Sequence, residues 1–215
     1  MVSQPQLRRA ANGRVKGSQL EIDIEALAAR DRYKLMAGLI VPRPIALVTT
    51  VSAGGVMNAA PFSMFNMLGE DPPLVLLSIN RRDDESRKDT AVNIRRTGEF
   101  VVHMTDEPMA HKMHRCGDIL PSEVSELVHA GLTSAPSNRV APVRIVEAPV
   151  ALECTLYETL ETTSREIFLG QVRWMHVRDG LVDRGSWRVN LDAYLPIARM
   201  GGWSYANTRE RFEMR

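Results

Sequence analysis

Two short apolar segments, each framed by turn residues, limit the folds that this chain can adopt. The first, Ile45–Val51, is apolar and rich in β-branched residues, and Ala53-Gly54-Gly55 follows it. The second, Leu74–Ile79, comes directly after Pro72-Pro73. Segments of this length, composition and framing are typical of β-strands. Because neither segment alternates with polar residues, each strand needs cover on both of its faces.

Further strands are predicted at Glu99–Met104 and Phe168–Val177, and residues 150–157 alternate in the manner of a half-buried strand. In that segment the apolar face holds Val150, Leu152, Cys154 and Leu156, and the polar face holds Glu153, Thr155 and Tyr157. Many short strands with few helices favour an antiparallel barrel over a doubly wound sheet. A small barrel exposes its outer face, so we expect a homodimer to cover the apolar strands.

The helices are predicted from local signals. Ile22–Leu39 reads as a helix with a break near Asp31, before the prolines of Val41-Pro42-Arg43-Pro44 stop it. A shorter helix is predicted over Asp89–Arg96, with Gly98 placed to end it.

Composition sets the broad class of protein. The 215 residues, 44% apolar and 25% charged, predict one globular domain over residues 18–215 after a mobile tail over residues 1–17. A net charge of +1 and the absence of a basic block argue against nucleic-acid binding. The chain has neither a signal peptide nor an apolar stretch of about 20 residues, so we expect no membrane association and a cytoplasmic location. Cys116 and Cys154 show no spacing typical of disulfide or zinc frameworks.

Two segments predict a ligand site. Asn58–Asn66 places small residues and amides where a backbone can closely approach a planar ring, and Ser86–Thr90 places cations and hydroxyls at a helix start. Helix starts bind phosphate because their free N–H groups and the helix dipole favour an anion. Arg87 and Lys88 add charge-assisted hydrogen bonds. Together the segments predict a site for a flat aromatic cofactor with a phosphate tail.

Each segment also has a plainer interpretation. Residues 81–90 are nearly balanced in charge, as in a solvated loop, and Pro61 is also typical of an irregular connection between strands. The cofactor interpretation is favoured by Ser86-x-x-Asp89, which resembles a capping box that would hold the helix start in place.

Other chemistries find less support. The chain contains no G-x-G-x-x-G, P-loop or G-x-S-x-G motif. His111, His114 and Cys116 suggest a metal site, but the helical period points Cys116 almost opposite His114. We therefore predict two surface histidines, a buried thiol and no metal.

The order and spacing of several motifs resemble the flavin reductase-like, FMN-binding split-barrel family from about Tyr33 to Tyr205. The motifs that carry this resemblance are Val41-Pro42-Arg43-Pro44-Ile45, Thr49-Thr50, Asn58-Ala59-Ala60-Pro61-Phe62-Ser63, Asp71-Pro72-Pro73, Arg87-Lys88-Asp89-Thr90, Asn93-Ile94, Thr97-Gly98-Glu99-Phe100-Val101-Val102, Phe168-Leu169-Gly170-Gln171-Val172 and Arg199-Met200-Gly201-Gly202-Trp203-Ser204-Tyr205.

The resemblance implies a mainly β fold with a few helices, namely a six-stranded antiparallel split barrel of Greek-key type. It also implies a homodimer with FMN, or alternatively FAD, near the subunit interface. Asn58 to Ser63 would line the flavin ring and ribityl chain, and Thr49 and Thr50 would help orient the ring. Arg87, Lys88 and Thr90 would lie near the phosphate. The full set of predicted cofactor residues is Thr49, Thr50, Asn58, Ala59, Ala60, Pro61, Ser63, Arg87, Lys88, Asp89 and Thr90.

The implied function is an NAD(P)H-dependent flavin reductase, in which NADH or NADPH binds transiently and reduces the flavin. Reduced flavin then reacts onward or leaves for a partner monooxygenase, and no side chain is predicted as a general acid or base. Many reductases of this family carry a Gly-Asp-His-like turn where this chain reads Thr162-Thr163-Ser164-Arg165-Glu166. His176 lies farther along and is predicted to pack in the barrel. The missing histidine keeps open an alternative, a non-enzymatic FMN electron carrier of flavoredoxin type. A related split barrel that binds haem or a pyridoxal-type phosphate is a third, less favoured reading.

Overall fold

The computed structural model describes residues 19–214, so the predicted mobile tail over residues 1–17 lies outside the described residues. The strands are β1 Arg43–Pro44, β2 Ala46–Val51, β3 Met57–Phe62, β4 Phe65–Glu70, β5 Pro73–Asn80, β6 Glu99–Met104, β7 Ser134–Ala135, β8 Arg144–Ile145, β9 Val150–Glu161, β10 Arg165–Val177, β11 Ile197–Arg199 and β12 Tyr205–Asn207. The helices are α1 Ala29–Leu39, α2 Asp89–Thr97, α3 Ala110–Arg115 and α4 Glu126–Ala130, and one 3-10 turn, Glu107–Met109, precedes α3.

The main sheet is antiparallel and has seven strands in the order β3-β2-β6-β9-β10-β5-β4. Its two edge strands, β3 and β4, are consecutive in the chain and are joined only by Ser63 and Met64. The N–H of Ser78 donates to the carbonyl of Met64 at 2.8 Å, which ties this junction to β5. The sheet therefore curls until its edges meet. The predicted mainly β antiparallel split barrel is confirmed, with seven strands in place of the six implied.

The barrel interior is closely packed around two aromatic side chains. Phe100 on β6 and Phe168 on β10 are fully buried in it, together with Leu77 and Ile94. A Cβ atom at Gly170 would lie 2.3 Å from Cζ of Phe100, closer than any real contact. Glycine is therefore the residue that lets β10 pass over the Phe100 ring.

The outer face of β2 is covered by helices of the same chain. Leu47 packs with Met113 of α3 and Leu127 of α4 in a second buried cluster. The second face of β2 thus needs no subunit to cover it, which corrects part of the reasoning from which we expected a dimer. On β5, Leu74 and Leu76 remain only half-buried in the chain.

The local predictions had mixed outcomes. The helix predicted over Asp89–Arg96 is present as α2, and Gly98 ends it at a φ of 68°. The predicted capping box is wrong, because Lys88 is the N-cap and no side chain caps the helix. The helix predicted from Ile22 begins only at Ala29. Ile22 lies on the surface, so the segment before Ala29 has no buried face to hold it helical.

One buried charge departs from the predicted polar face of β9. Glu153 is completely buried, where its carboxylate accepts the backbone N–H groups of Asn138 and Arg139 and pairs with His176 at 2.6 Å. These partners explain how a carboxylate can be buried there.

The remaining strands form small sheets, β1-β11-β12 and β7-β8. The first brings the C-terminal part of the chain back against the segment that precedes β2. No helix within residues 19–214 has the length and apolarity needed to cross a membrane.

Candidate functional site

A cavity of about 580 Å³ opens where the two edges of the barrel meet, a volume typical of cofactor sites. Its walls come from α1, the β3–β4 junction, β5, the starts of α2 and β10, α3 and the C-terminal strands. The lining residues are Tyr33, Lys34, Ala37, Gly38, Arg43, Ile45, Pro61, Phe62, Ser63, Met64, Ser78, Asn80, Lys88, Met113, His114, Gly117, Asp118, Arg165, Arg199, Met200, Gly202, Trp203 and Tyr205.

The β3–β4 junction forms one wall of this cavity. Pro61 lies in β3, an edge strand, where a residue without an N–H group costs no hydrogen bond to a neighbouring strand. After Phe62 the chain bends through Ser63 and Met64 before β4 begins at Phe65. The bend exposes backbone and small side chains to the cavity, so that a planar ligand can approach them closely.

Two cations, Lys88 and Arg165, share another wall. The ammonium group of Lys88 lies 5.8 Å from the centre of the Phe62 ring, and the guanidinium of Arg165 lies 5.8 Å from that of Tyr33. Burial, followed by the charges of Arg165 and Arg82, lowers the pKa of Lys88, and burial also lowers the pKa of Arg165. Among the described residues neither cation forms an ion pair with a carboxylate. A bound anion would therefore relieve an electrostatic cost that the fold leaves uncompensated.

Arg87 is placed differently from its neighbour Lys88. Its Nε donates to the buried Glu166 at 2.9 Å, and Arg95 donates to the same carboxylate. Burial by itself would raise the pKa of Glu166, but the hydrogen bonds from Arg87 and Arg95 outweigh it and lower the pKa. Arg87 therefore links the start of α2 to β10 and does not line the cavity.

Several predicted cofactor residues form a buried network of their own. Asn58 donates from Nδ2 to the hydroxyls of Thr90, at 3.0 Å, and Thr50, at 3.3 Å, and Asn93 donates to Thr50 at 3.0 Å. These contacts tie β2 and β3 to α2. Thr49, the neighbour of Thr50 in β2, does not join this network and instead donates from its hydroxyl to the carbonyl of Val143 at 2.6 Å.

A smaller cavity of about 190 Å³ lies beside this network and is lined by Asn58, Asp89 and Glu126 among others. Burial raises the pKa of Glu126, against the effect of the hydrogen bond that its carboxylate accepts from the N–H of Ala59 at 2.9 Å. Asp89 forms an ion pair with Arg82 at 2.8 Å.

The structure thus divides the predicted site residues into three groups. The main cavity is lined by Pro61, Ser63 and Lys88; the smaller cavity by Asn58 and Asp89; and neither cavity by Thr49, Thr50, Ala59, Ala60, Arg87 and Thr90.

The cavity also contains an aromatic cluster that the sequence analysis did not predict. Nδ1 of His114 lies 3.1 Å from the hydroxyl of Tyr205, and the His114 ring meets Trp203 edge-on, with 6.0 Å between ring centres. Arg199 stacks over Tyr205 at 4.6 Å and also hydrogen-bonds to its hydroxyl. His114 is exposed, as predicted, but its place at the cavity was missed, as was that of Arg165. The sequence feature that could have identified Arg199, Trp203 and Tyr205 as cavity residues is the C-terminal motif to which all three belong.

Arg43 connects the walls of the cavity. This buried guanidinium donates to the carbonyls of Ala37, Ile40 and Met200, which belong to the C-terminal part of α1 and to the turn after β11. Carbonyl oxygens thus stabilise a buried cation that has no carboxylate partner among the described residues.

The remaining histidines and thiols lie elsewhere. His176 pairs with Glu153 and lines neither cavity. Burial raises the pKa of the Cys116 thiol to about 12, as expected for an unreactive buried cysteine. Within residues 19–214, no three His, Cys, Asp or Glu side chains come together in a group that could hold a metal ion.

Comparisons with known proteins agree with this fold. A family model described as flavin reductase like domain matches residues 36–190. An uncharacterised protein of Aquifex aeolicus is 42% identical over 173 residues, which cover 80% of this chain and 88% of the relative.

Two solved structures are also similar over most of their length. The 2-nitrobenzoate 2-nitroreductase of Pseudomonas fluorescens is 36% identical, with a TM-score of 0.84, and the match covers 91% of this chain and 95% of that one. Component B of the nitrilotriacetate monooxygenase of Bacillus cereus is 35% identical, with a TM-score of 0.87, and the match covers 93% of this chain and 100% of that one.

Proposed function

Because this chain belongs to the flavin reductase-like domain family, we propose that it binds FMN in the main cavity and acts as an NAD(P)H-dependent flavin reductase. The observation that carries this proposal is the pair of cations, Lys88 and Arg165, that line the cavity without carboxylate partners among the described residues. Their charge suits the phosphate of FMN, and the nearby bend at Ser63 suits a planar ring.

The residues present fit this cofactor. The cavity volume lies within the range of small-molecule sites. No side chain caps α2, so the first N–H groups of that helix add to the positive potential beside Lys88. Lys88 and Arg165 would hold the phosphate, and Pro61 and Ser63 would contact the ring and its chain.

The protein's part in the reaction is to bind, orient and exclude water. When bound, FMN supplies the chemistry, accepting a hydride from a nicotinamide and passing electrons onward. Trp203 and Tyr205 lie at the cavity, where they can cover a stacked ligand and keep water away. The proposal assigns no general acid or base, and His176 lies outside both cavities.

The finer parts of the proposal concern partners. We include a transient NADH or NADPH donor, FAD as an alternative flavin, and a cytoplasmic homodimer. The name of the Bacillus cereus relative, a monooxygenase component, supports a partner oxygenase as the consumer of reduced flavin. The name of the Pseudomonas fluorescens relative supports instead a small nitroaromatic as the direct acceptor.

A second candidate function is a non-enzymatic electron carrier that retains its FMN. The turn from Thr162 to Glu166, which contains no histidine, favours it. Arg165 of this turn lines the cavity, so a cation would stand beside the bound flavin at that place.

Anaerobic mixing separates the two functions. Purified protein loaded with FMN is mixed with NADH or with NADPH, and the visible absorbance of the flavin is followed. Rapid bleaching, much faster than for free FMN with the same donor, is expected of a reductase. Lasting yellow colour with both donors contradicts the reductase and supports the carrier, and failure to take up FMN at all contradicts both.

A further inference from the structure

The charges of the main cavity are strongly one-sided. Among the described residues, its lining carries five cationic side chains and one carboxylate, that of Asp118. The cations are Lys34, Arg43, Lys88, Arg165 and Arg199. For a chain with a net charge of +1, this concentration of positive charge marks a site for anions.

Three of these charged groups already have interaction partners within the chain. Lys34 pairs with Asp31 at 3.1 Å, and Asp118 lies 2.7 Å from His129. Arg43 is held by backbone carbonyls. With Lys88 and Arg165 assigned to a phosphate, Arg199 remains as a cation without an assigned ligand.

Arg199 is held in place by neutral groups. Its two terminal nitrogens donate to the hydroxyl of Tyr205 and the carbonyl of Gly202, and its central carbon lies over the Tyr205 ring, 4.6 Å from the ring centre. No carboxylate among residues 19–214 pairs with it. A guanidinium has more N–H groups than these two contacts use, so further donors stay free for a ligand.

Aromatic side chains surround this cation. Trp203 is 83% exposed although it lines the cavity, and it meets the ring of His114, which in turn contacts Tyr205. An exposed indole beside a cation offers a flat apolar surface next to a positive charge. A ligand that combines a flat ring with a negative group would cover both.

We propose that Arg199, Tyr205, His114 and Trp203 form a subsite for the carboxylate and ring of an aromatic acid, the second substrate of the proposed flavin enzyme. A planar guanidinium matches the two oxygens of a carboxylate. This inference rests on the proposed function, since the flavin would occupy the same cavity.

Calorimetric titration of the FMN-loaded protein with benzoate and with benzamide tests the subsite. The two probes share a ring but differ in charge, so we expect benzoate to bind more tightly. Arg199→Gln should weaken benzoate binding roughly ten- to hundredfold and leave benzamide binding unchanged. The matched control is Arg173→Gln, which removes an equal charge from the exposed part of β10, outside both cavities, and should change neither affinity.

Three results would overturn the subsite: equal binding of the two probes, no binding of benzoate, or equal losses for both in Arg199→Gln. A raised KM for NADH in Arg199→Gln with unchanged benzoate affinity would assign the cation to the nicotinamide donor instead. Should Arg199→Gln fail to fold, Arg199→Lys keeps the charge but loses the planar fork and should still lower benzoate affinity alone. Titration with FMN is measured separately. If FMN does not bind, the proposed function fails, while benzoate titration of the flavin-free protein still decides the subsite.

Discussion

Replacing Lys88 with alanine should weaken recognition of the flavin's phosphate and leave recognition of its ring unchanged. Lys88 lines the main cavity, and burial lowers its pKa, so its charge faces the ligand in a partly desolvated place. A hydrogen bond to a charged group contributes about 1.5–3 kcal/mol, and partial burial limits screening by salt. Lys88→Ala should therefore raise the Kd for FMN by roughly 10- to 150-fold. Riboflavin, which lacks the phosphate, should bind with nearly unchanged affinity.

Arg87→Ala is the matched control, because it removes a cation of the adjacent residue. Arg87 lies 2.9 Å from Glu166 and outside the cavity, and Glu166 keeps its bond to Arg95 when Arg87 is lost. Quenching of flavin fluorescence measures both ligands with all variants. Lys88 does not bind the phosphate if Arg87→Ala weakens FMN binding as much as Lys88→Ala does, or if Lys88→Ala weakens the binding of riboflavin and FMN equally.

Three further predictions concern the fold and its assembly. Gly170→Ala should lower the free energy of unfolding by about 1–3 kcal/mol, measured with urea, because the new Cβ would meet the Phe100 ring. Burial lowers the pKa of His103 to about 4, below the ordinary value of about 6.5. The folded protein should therefore lose about 3 kcal/mol of stability as pH falls from 6.5 to 4, and His103→Gln should flatten that loss. Light scattering should give twice the chain mass, as expected of a homodimer.

Each of these predictions has a clear contrary result. A Gly170→Ala variant that Phe100→Leu does not partly rescue would show that the two residues do not clash. Parallel pH profiles for the natural protein and His103→Gln would show that His103 does not titrate between these values. A monomer at micromolar concentration would end the dimer proposal.

The parts of the fold that the sequence predicts are those whose signals are local. Glu99–Met104 is a strand with the predicted bounds, and Gly98 ends α2 because glycine tolerates its positive φ. The start of α1 was placed too early, because Ile22 lies on the surface and gives the segment before Ala29 no buried helix face. The cover of β2 was also misassigned. The helices that supply it follow β2 by many residues, and neither their packing partner nor their direction can be read from local periodicity.

The sequence predicted residues of the candidate site only where they lie within one of two local motifs. Pro61, Ser63 and Lys88 lie in the two motifs and line the cavity. Arg165 and Arg199 reach it through the register of β10 and β11, which sequence alone does not specify. Asn58 and Thr50, which were predicted to contact the cofactor, hydrogen-bond to each other in the structure, because amide and hydroxyl groups that suit a ligand can also satisfy one another.

The net charge of the chain and the local charge around the main cavity give different information about its ligands. A net charge of +1 argues against a surface that attracts polyanions at long range, because solvent and salt screen scattered surface charges. The same chain places Lys88, Arg165 and Arg199 around one cavity, where burial weakens screening and no carboxylate among residues 19–214 pairs with them. Burying charges without partners lowers the free energy of unfolding. Such an arrangement is therefore best explained by ligands that bring the missing negative charge, a phosphate at one pair of cations and a second anion at Arg199.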